Sequence, residues 1–396
     1  MTAPHVLEQH NGRSWVGGVV HAHTTMSDGQ RSADELVAFA HSRGLGAVCV
    51  TDHHFDSWRY RFGVRVSRSS AQRFGIANYL AEIRQVACAG LGPLVLPGIE
   101  VMPHYRWEGL PPFLRCQAMK TGVVYGIDDA SVLNGMPMHL DGRGRDEAQA
   151  RHAAQMLIDY IRAHNGLFFW SHLEEDEQVR FFTASIRYRP RPDLLALSHG
   201  YSGFGCFPHG DRLGCEPGGA WDQRLALASR SGRYDGPWVT GESDYHRGDS
   251  LQPYENISNP VTVFLLDALQ PSAVLAALRT GRMYAYQGPS FRTSLLHRFE
   301  IRSERGDTSA QAGGVLRGDA KPRLVIQVSG FVDGCRVRVV CGGRVFAEHE
   351  GRAMNLALPA PEGHGYACRA EITSPVGEKI MTNPVFVVAS GERETT

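Results

Sequence analysis

One pattern constrains this chain more than any other: short apolar runs, each closed at once by histidines or carboxylates. Val16 to Val20 runs into His21-Ala22-His23, Ala47 to Val50 into Thr51-Asp52-His53-His54, and Leu94 to Leu96 into Pro97-Gly98-Ile99-Glu100. Leu167 to Trp170 leads to Ser171-His172, Leu194 to Leu197 to Ser198-His199, and Trp238 to Thr240 to Glu242-Ser243-Asp244-Tyr245-His246. Runs this short, flanked by glycine and polar residues, read as strands buried on both faces of a mainly parallel sheet. Between them lie helical patterns. Ser32 stands in N-cap position with Glu35 three residues on, Leu36, Val37, Phe39 and Ala40 form an inward face, and Gly44 supplies the stop. Ile76, Leu80, Ile83 and Val86 mark a second helix, Leu157, Tyr160 and Ile161 a third, and Pro271 opens one that ends near Gly281. With a strand at Val261 to Leu266, the rhythm amounts to about seven βα units.

After about residue 291 the period changes from helical to two. Leu324, Ile326 and Val328 alternate with polar neighbours, as do Val337 with Val339, and Tyr366, Cys368, Ala370 with Ile372. Cys341-Gly342-Gly343 and Asp333-Gly334 are hairpin or turn signals. The expected organisation is an α/β domain over 1–290 and an antiparallel β-sandwich of about a hundred residues over 291–396.

A strand's residues i and i+2 face the same way, so His21 and His23 converge on one point. In a closed or nearly closed βα barrel the C-terminal strand ends share one face, where residues distant in sequence assemble a site. Imidazole and carboxylate together suit Zn, Mn or Fe, and two such ions about 3.5–4 Å apart can clamp the attacking and leaving oxygens of a hydrolysis. Singly each piece is weak: Asp28 in Ser27-Asp28-Gly29 is also a good turn residue, and Glu100 could form an ion pair. Their joint occurrence after successive strands carries the metal reading.

HAHTTMSDG, TDHH, LPGIE, SHL and ESDYH resemble the successive motifs of the PHP (polymerase and histidinol phosphatase) superfamily, over about residues 17 to 247. ALRTGRMYAYQGPS and the β-rich tail are similar to its CehA/McbA branch. The resemblance implies a distorted seven-stranded (βα)7 barrel with two or three divalent ions. It would place His21, His23, Glu100 and Asp244 on one ion and Asp28, His53 and His246 on another, with Glu100 bridging to a third position served by His172. Family members commonly supply a further histidine after the glutamate; here the candidates are His104, close to Glu100, and His139, inside a long insertion. Leu173 follows His172 where the family often has proline.

Around these ligands, His199 is a candidate proton donor to the leaving group, and Asp52 a catalytic-shell residue orienting His53. His54 reads as pocket wall. Arg59, Arg61 and Arg247 could grip a phosphate, and Trp58 and Tyr245 could line the pocket.

Eighteen histidines stand out in a composition otherwise balanced, with 41 basic and 41 acidic residues. Net charge near zero offers no footprint for nucleic acid, and no stretch approaches the ~18 apolar residues of a membrane span. A small-molecule substrate, a cytoplasmic location and possible homo-oligomerisation are therefore expected. The eight cysteines contain no CxxC pair, so no disulfide framework is indicated; Cys206 and Cys215 could alternatively bind metal. The leading expectation is a phosphoesterase in which a metal-bound hydroxide attacks a small phosphate ester. A carboxylic ester, amide or carbamate hydrolase is the alternative, and a non-catalytic metal-binding scaffold the third reading.

Overall fold

The computed structural model describes residues 2–10, 12–55, 57–59, 65–109, 115–142, 146–181, 184–207, 213–248, 256–318, 321–330 and 333–390, with the side chains of 10, 58–59, 65–67, 139–142, 181 and 184 outside the description. It is a mixed α/β structure built on one long sheet. The strands along its continuous path, with Glu8–His10, Val315–Arg317 and Val385–Val388 pairing off it, are in chain order β1 (Arg13–Ala22), β2 (Ala47–Val50), β3 (Leu94–Val101), β4 (Gly122–Tyr125), β5 (Leu167–Trp170), β6 (Gly203–Cys206) and β7 (Trp238–Gly241). β8 (Val261–Leu266), β9 (Met283–Gln287), β10 (Arg336–Cys341), β11 (Arg344–Glu350), β12 (Tyr366–Thr373) and β13 (Lys379–Thr382) follow. The spatial order is β7-β6-β5-β4-β3-β2-β1-β8-β9-β13-β12-β10-β11.

Within the first seven strands, β1, β2 and β3 run parallel, as do β5, β6 and β7. β4 joins the two sets and is antiparallel to both its neighbours. Just beyond β7, Tyr245 bridges to Ala22 at the end of β1: His23 N–H donates to the Tyr245 carbonyl at 2.8 Å, and Tyr245 N–H to the His21 carbonyl at 3.0 Å. The two ends of the seven-strand set thus meet at the rim where the histidine-bearing segments emerge.

Four of the helices form where the sequence patterning expects them, and Ala220–Ser231 is one the patterning did not single out. The first (Ala33–Ser42) carries the Ser32/Glu35 capping box, with Leu36, Val37 and Ala40 buried. The second (Ile76–Ala89) buries Ile76, Leu80, Ile83 and Val86 and stops at the left-handed Gly90. The long one (Glu147–Ala163) is capped by the Asp146 side chain on Gln149 N–H at 2.8 Å. Ala220–Ser231 precedes β7, and Pro271–Thr280 runs from its N-terminal proline to the left-handed Gly281. Among the described residues no helix is long and apolar enough to cross a membrane.

One local expectation needs correction. Leu194–Leu197 is a single helical turn, not a strand; four apolar residues cannot distinguish the two by periodicity. The strand is instead the glycine-rich Gly203–Cys206, which propensity argues against. Its glycines are required by crowding, because a Cβ at Gly205 would collide with the Glu242 carboxylate and one at Gly203 with the Trp238 carbonyl and the Phe169 ring.

The insertion between Val101 and Asp146 also folds into sheet. His104–Glu108, Arg115–Ala118 and His139–Gly142 join Glu177–Phe181 and Ala184–Tyr188 in a separate five-stranded sheet. It has its own small core of Phe55, Met102, Tyr105, Cys116 and Ile186. Towards the C-terminus the main sheet continues without a break, because β9 pairs antiparallel with β13. A four-stranded sheet made of Ser309–Gln311, Leu295–Arg302, Arg323–Ser329 and Ala353–Ala357 stands apart in hydrogen bonding. Leu324 and Ile326 from it share one core cluster with Val337, Val339 and Ile372. The Gly342-Gly343 turn joins β10 and β11 with both residues at positive φ, 56° and 78°, as a two-residue type I′ hairpin requires.

Candidate metal centre

Alternation along β1 brings the His21 and His23 rings to the same side, with Nε2 atoms 3.0 Å apart and both residues fully buried. The Tyr245 clasp sets Asp244 beside them: its Oδ1 lies 2.9 Å from His23 Nε2 and 3.2 Å from His21 Nε2. Glu100, near the end of β3, reaches all sides. Its Oε2 is 2.5 Å from His53 Nδ1 and 3.7 Å from His23 Nε2, and its Oε1 is 3.8 Å from His21 Nε2 and 3.9 Å from His172 Nε2. Asp28, at the outer edge, is 3.3 Å from both His53 and His246 and 3.6 Å from His23. Asp244 and His172 hold φ at +46° and +52°, a left-handed backbone that costs of order 1–3 kcal/mol and concentrates at functional sites.

These side chains form three overlapping groups whose donor atoms lie within 4.8 Å of one another: His23, Asp28, His53 and His246; His21, His23 and Asp244; and His21, Glu100 and His172. The grouping differs from the one the sequence resemblance implied, because His23 turns towards Asp28 as well as Asp244, and His21 is shared with Glu100 and His172. Mixed imidazole and carboxylate donors at this spacing fit divalent cations. His104 is buried but belongs to none of the three groups, and the His139 side chain lies outside the described residues. Cys206 and Cys215, also buried, belong to no group either.

Electrostatics point the same way. Burial, followed by the neighbouring His246 and His53, pushes His23 down to about 3. Burial would also lower His21, yet Asp244, Glu100 and Glu242 hold it well above its ordinary value. His246 is raised to about 9 against its own burial by Asp244 and Asp28. Burial would raise Asp28, Glu100 and Asp244, and the surrounding histidines hold all three below the usual carboxylate range.

Glu242 was missed as a site residue. Its Oε1 accepts from His21 Nδ1 at 2.5 Å and its Oε2 from His172 N–H at 3.3 Å. This fixes the His21 tautomer and leaves Nε2 facing the cluster. The signal was present, since the spacing that pairs His21 with His23 also pairs Glu242 with Asp244.

A cavity of about 530 Å³ opens on the cluster and is lined by Asp28, His53, Glu100, His172, Asp244 and His246. Arg68 and Arg247 share its wall. Arg247 was expected there; Arg68 was not, and its Nη2 donates to Asp28 Oδ2 at 2.7 Å. Arg61, and the side chains of Arg59 and Trp58, lie outside the described residues.

The structure does not bring four other expected residues to the cavity. His199 is exposed and precedes β6, so it sits at the opposite strand end, its backbone held by the Gln155 side chain at 2.9 and 3.1 Å. Tyr245 is buried away from the cavity, its ring on Phe39 and its hydroxyl donating to the Gly248 carbonyl at 2.8 Å. Asp52 is buried too, but its carboxylate accepts from Thr24 N–H and Thr24 Oγ1, both at 2.8 Å, and from Ser27 Oγ. It therefore fastens the turn that carries Asp28 rather than orienting His53. His54 is tied to the Leu133 carbonyl at 3.1 Å and does not line the cavity.

The family model of the PHP domain matches residues 20–184, which takes in His21, His23, Asp28, His53, Glu100 and His172 and stops short of Asp244 and His246. A search of the curated proteins finds no match. Among solved structures, the chain is similar to a two-domain protein from Bacteroides vulgatus ATCC 8482 containing a predicted PHP-like metal-dependent phosphoesterase. The two share 14% identity at a TM-score of 0.42, over 97% of this chain and 98% of that one. A candidate metal-dependent phosphoesterase from Bifidobacterium adolescentis ATCC 15703 is 14% identical at a TM-score of 0.32, over 59% of this chain and 89% of that one. At these values neither likeness bears on the chemistry.

Proposed function

We propose that this chain is a metal-dependent hydrolase that cleaves a small-molecule phosphate ester in the cytoplasm. The observation that carries the reading is the convergence of His21, His23, Asp28, His53, Glu100, His172, Asp244 and His246 in three overlapping groups beneath one cavity. The PHP match over residues 20–184 supports the metal-dependent hydrolase class. Two or three divalent ions of the Zn, Mn or Fe kind, when bound, supply Lewis-acid polarisation and an acidified water. Arg68, steadied by Asp28, and Arg247 give the phosphate a charge-assisted grip. Phe55, Met102, Ile186 and Tyr188 present an apolar wall to the organic part of the ester and limit water access. We read the seven strands closed by the Tyr245 bridge as a distorted barrel over 1–290, and the strands of 291–396 as a β-sandwich that continues its sheet. The stretch ALRTGRMYAYQGPS before that tail favours the CehA/McbA branch, and eight free cysteines suit a reducing compartment.

Glu175 and Glu177 on the same cavity wall favour the second reading, hydrolysis of an uncharged carboxylic ester, amide or carbamate, because they would repel a highly charged substrate. The test is to purify the chain under Mn, Fe and Zn supplementation, count bound metal, and assay aryl phosphate, phosphodiester, acetate and carbamate substrates side by side. Phosphate turnover that His21→Ala reduces by roughly 10³-fold together with metal content is the expected result. Carbamate or acetate turnover alone would transfer the reading to carbonyl chemistry. Bound metal with no turnover of any of these would favour the scaffold.

A further inference from the structure

Far along the chain, on the C-terminal part of the main sheet, Cys341 ends β10 and Cys368 lies directly opposite it on β12, with their sulfurs 3.2 Å apart. The register decides what this pair can do. Gly342 N–H donates to the Ala367 carbonyl at 2.9 Å, which makes Gly342 and Ala367 the hydrogen-bonded pair and leaves Cys341 and Cys368 as the non-hydrogen-bonded pair next to it. Such pairs hold their Cα atoms about 4.5 Å apart with side chains close together. That separation lies inside the ~4.4–6.8 Å range a disulfide spans, so a bond could form with little backbone movement. Access is asymmetric: Cys368 is fully buried and Cys341 half-buried.

We propose that Cys341 and Cys368 form a dithiol site that a small-molecule disulfide converts to an intramolecular cross-strand disulfide. The hydrogen bond to Cys341, and then burial, hold Cys368 protonated, so Cys341 reacts first. Its thiol gives up a proton, the thiolate attacks one sulfur of the small disulfide, and the departing thiolate takes that proton. Cys368 then loses its proton and attacks the Cys341 sulfur of the mixed disulfide, and a second small thiol leaves with it. Two protein thiols are oxidised, one external disulfide is reduced to two thiols, and atoms and electrons balance. The second step is favoured by proximity, because the two sulfurs are already in contact. Nothing in the proposal depends on the metal centre.

The site is tested on the full chain, fully reduced, then incubated with oxidised glutathione, quenched by alkylation, digested and read by mass spectrometry. The Cys341–Cys368 cross-link is expected to outweigh glutathione retained on Cys341 by at least about tenfold. The exposed Cys88 serves as the reference for plain accessibility and should carry a mixed disulfide. In Cys368→Ser the intermediate should be trapped as glutathione on Cys341; in Cys341→Ser, Cys368 should stay unmodified. A melting comparison of reduced and oxidised wild type needs no variant, and the oxidised form should melt higher. Glutathione that stays on Cys341 of the wild type without a cross-link would overturn the proposal, as would oxidation confined to Cys88.

Discussion

Around Arg369 and around His21, charged side chains are buried to much the same depth, and the two places are balanced in opposite ways. Arg369, 1% exposed, meets Asp222 through Nε at 2.8 Å and Nη2 at 2.9 Å, Glu371 through Nη1 at 2.7 Å, and the Cys215 carbonyl at 2.7 Å. Its guanidinium also covers the Trp221 ring at 4.7 Å, and Arg338 lies 3.6 Å from Glu371. That cluster supplies its own countercharge and ties the Ala220–Ser231 helix to β12. Near His21, the buried carboxylates Glu100, Glu242 and Asp244, with the part-exposed Asp28 at the rim, are gathered with imidazoles whose charge depends on protons. Arg68 adds a permanent cation only at the outer edge, on Asp28. A buried cluster that satisfies itself is architecture; one that needs protons to offset its carboxylates is prepared for cations from outside.

The largest effect is expected at Arg369. Arg369→Ala should destabilise the chain by about 3–5 kcal/mol, because it strands two buried carboxylates, while metal bound per folded molecule stays the same; denaturant unfolding with metal analysis reads both. Replacing Arg369, Asp222 and Glu371 together by apolar residues of similar volume should cost less than the single change. Equal losses would mean that the cluster is not internally compensated.

Glu242→Gln sharpens the other side. The amide cannot carry the carboxylate's charge opposite His21 Nδ1, so metal affinity should fall by about 10–100-fold, measured by competition with a chromogenic chelator. Unchanged affinity would remove Glu242 from the site.

The smallest effect is one of pH. In the metal-free chain His246 titrates at about 9 against an ordinary 6.5. Its contribution to stability is therefore complete below 6.5 and lost as pH rises through about 9. Metal binding must displace that proton, so metal affinity should climb over the same interval. Melting curves with chelator and with metal should accordingly diverge between pH 6.5 and 9, the first falling while the second holds or rises. Parallel curves would argue against His246 as a ligand.

Much of the rim was legible because its signals are short-range. Strand alternation put His21 beside His23, and apolar runs placed His53, Glu100, His172 and Asp244 at strand ends. His199 was misplaced because the run before it is a helical turn and the true strand is disguised by glycines. Tyr245 and Asp52 adjoin candidate ligands in sequence, but both side chains turn aside to fasten the backbone. Arg68 could not be found from sequence, since its partner Asp28 is forty residues away.

By itself, the sequence determined the residues able to bind metal, the strands that carry most of them, and the switch to two-residue alternation near 291, because periodicity and strand direction are local properties. Only the tertiary structure decided which donors share a group, that Glu242 stands behind His21, that β4 runs backwards between β3 and β5, and that the C-terminal strands extend the main sheet. Those outcomes depend on distances between segments far apart along the chain, and such distances are set by how the sheet closes and packs.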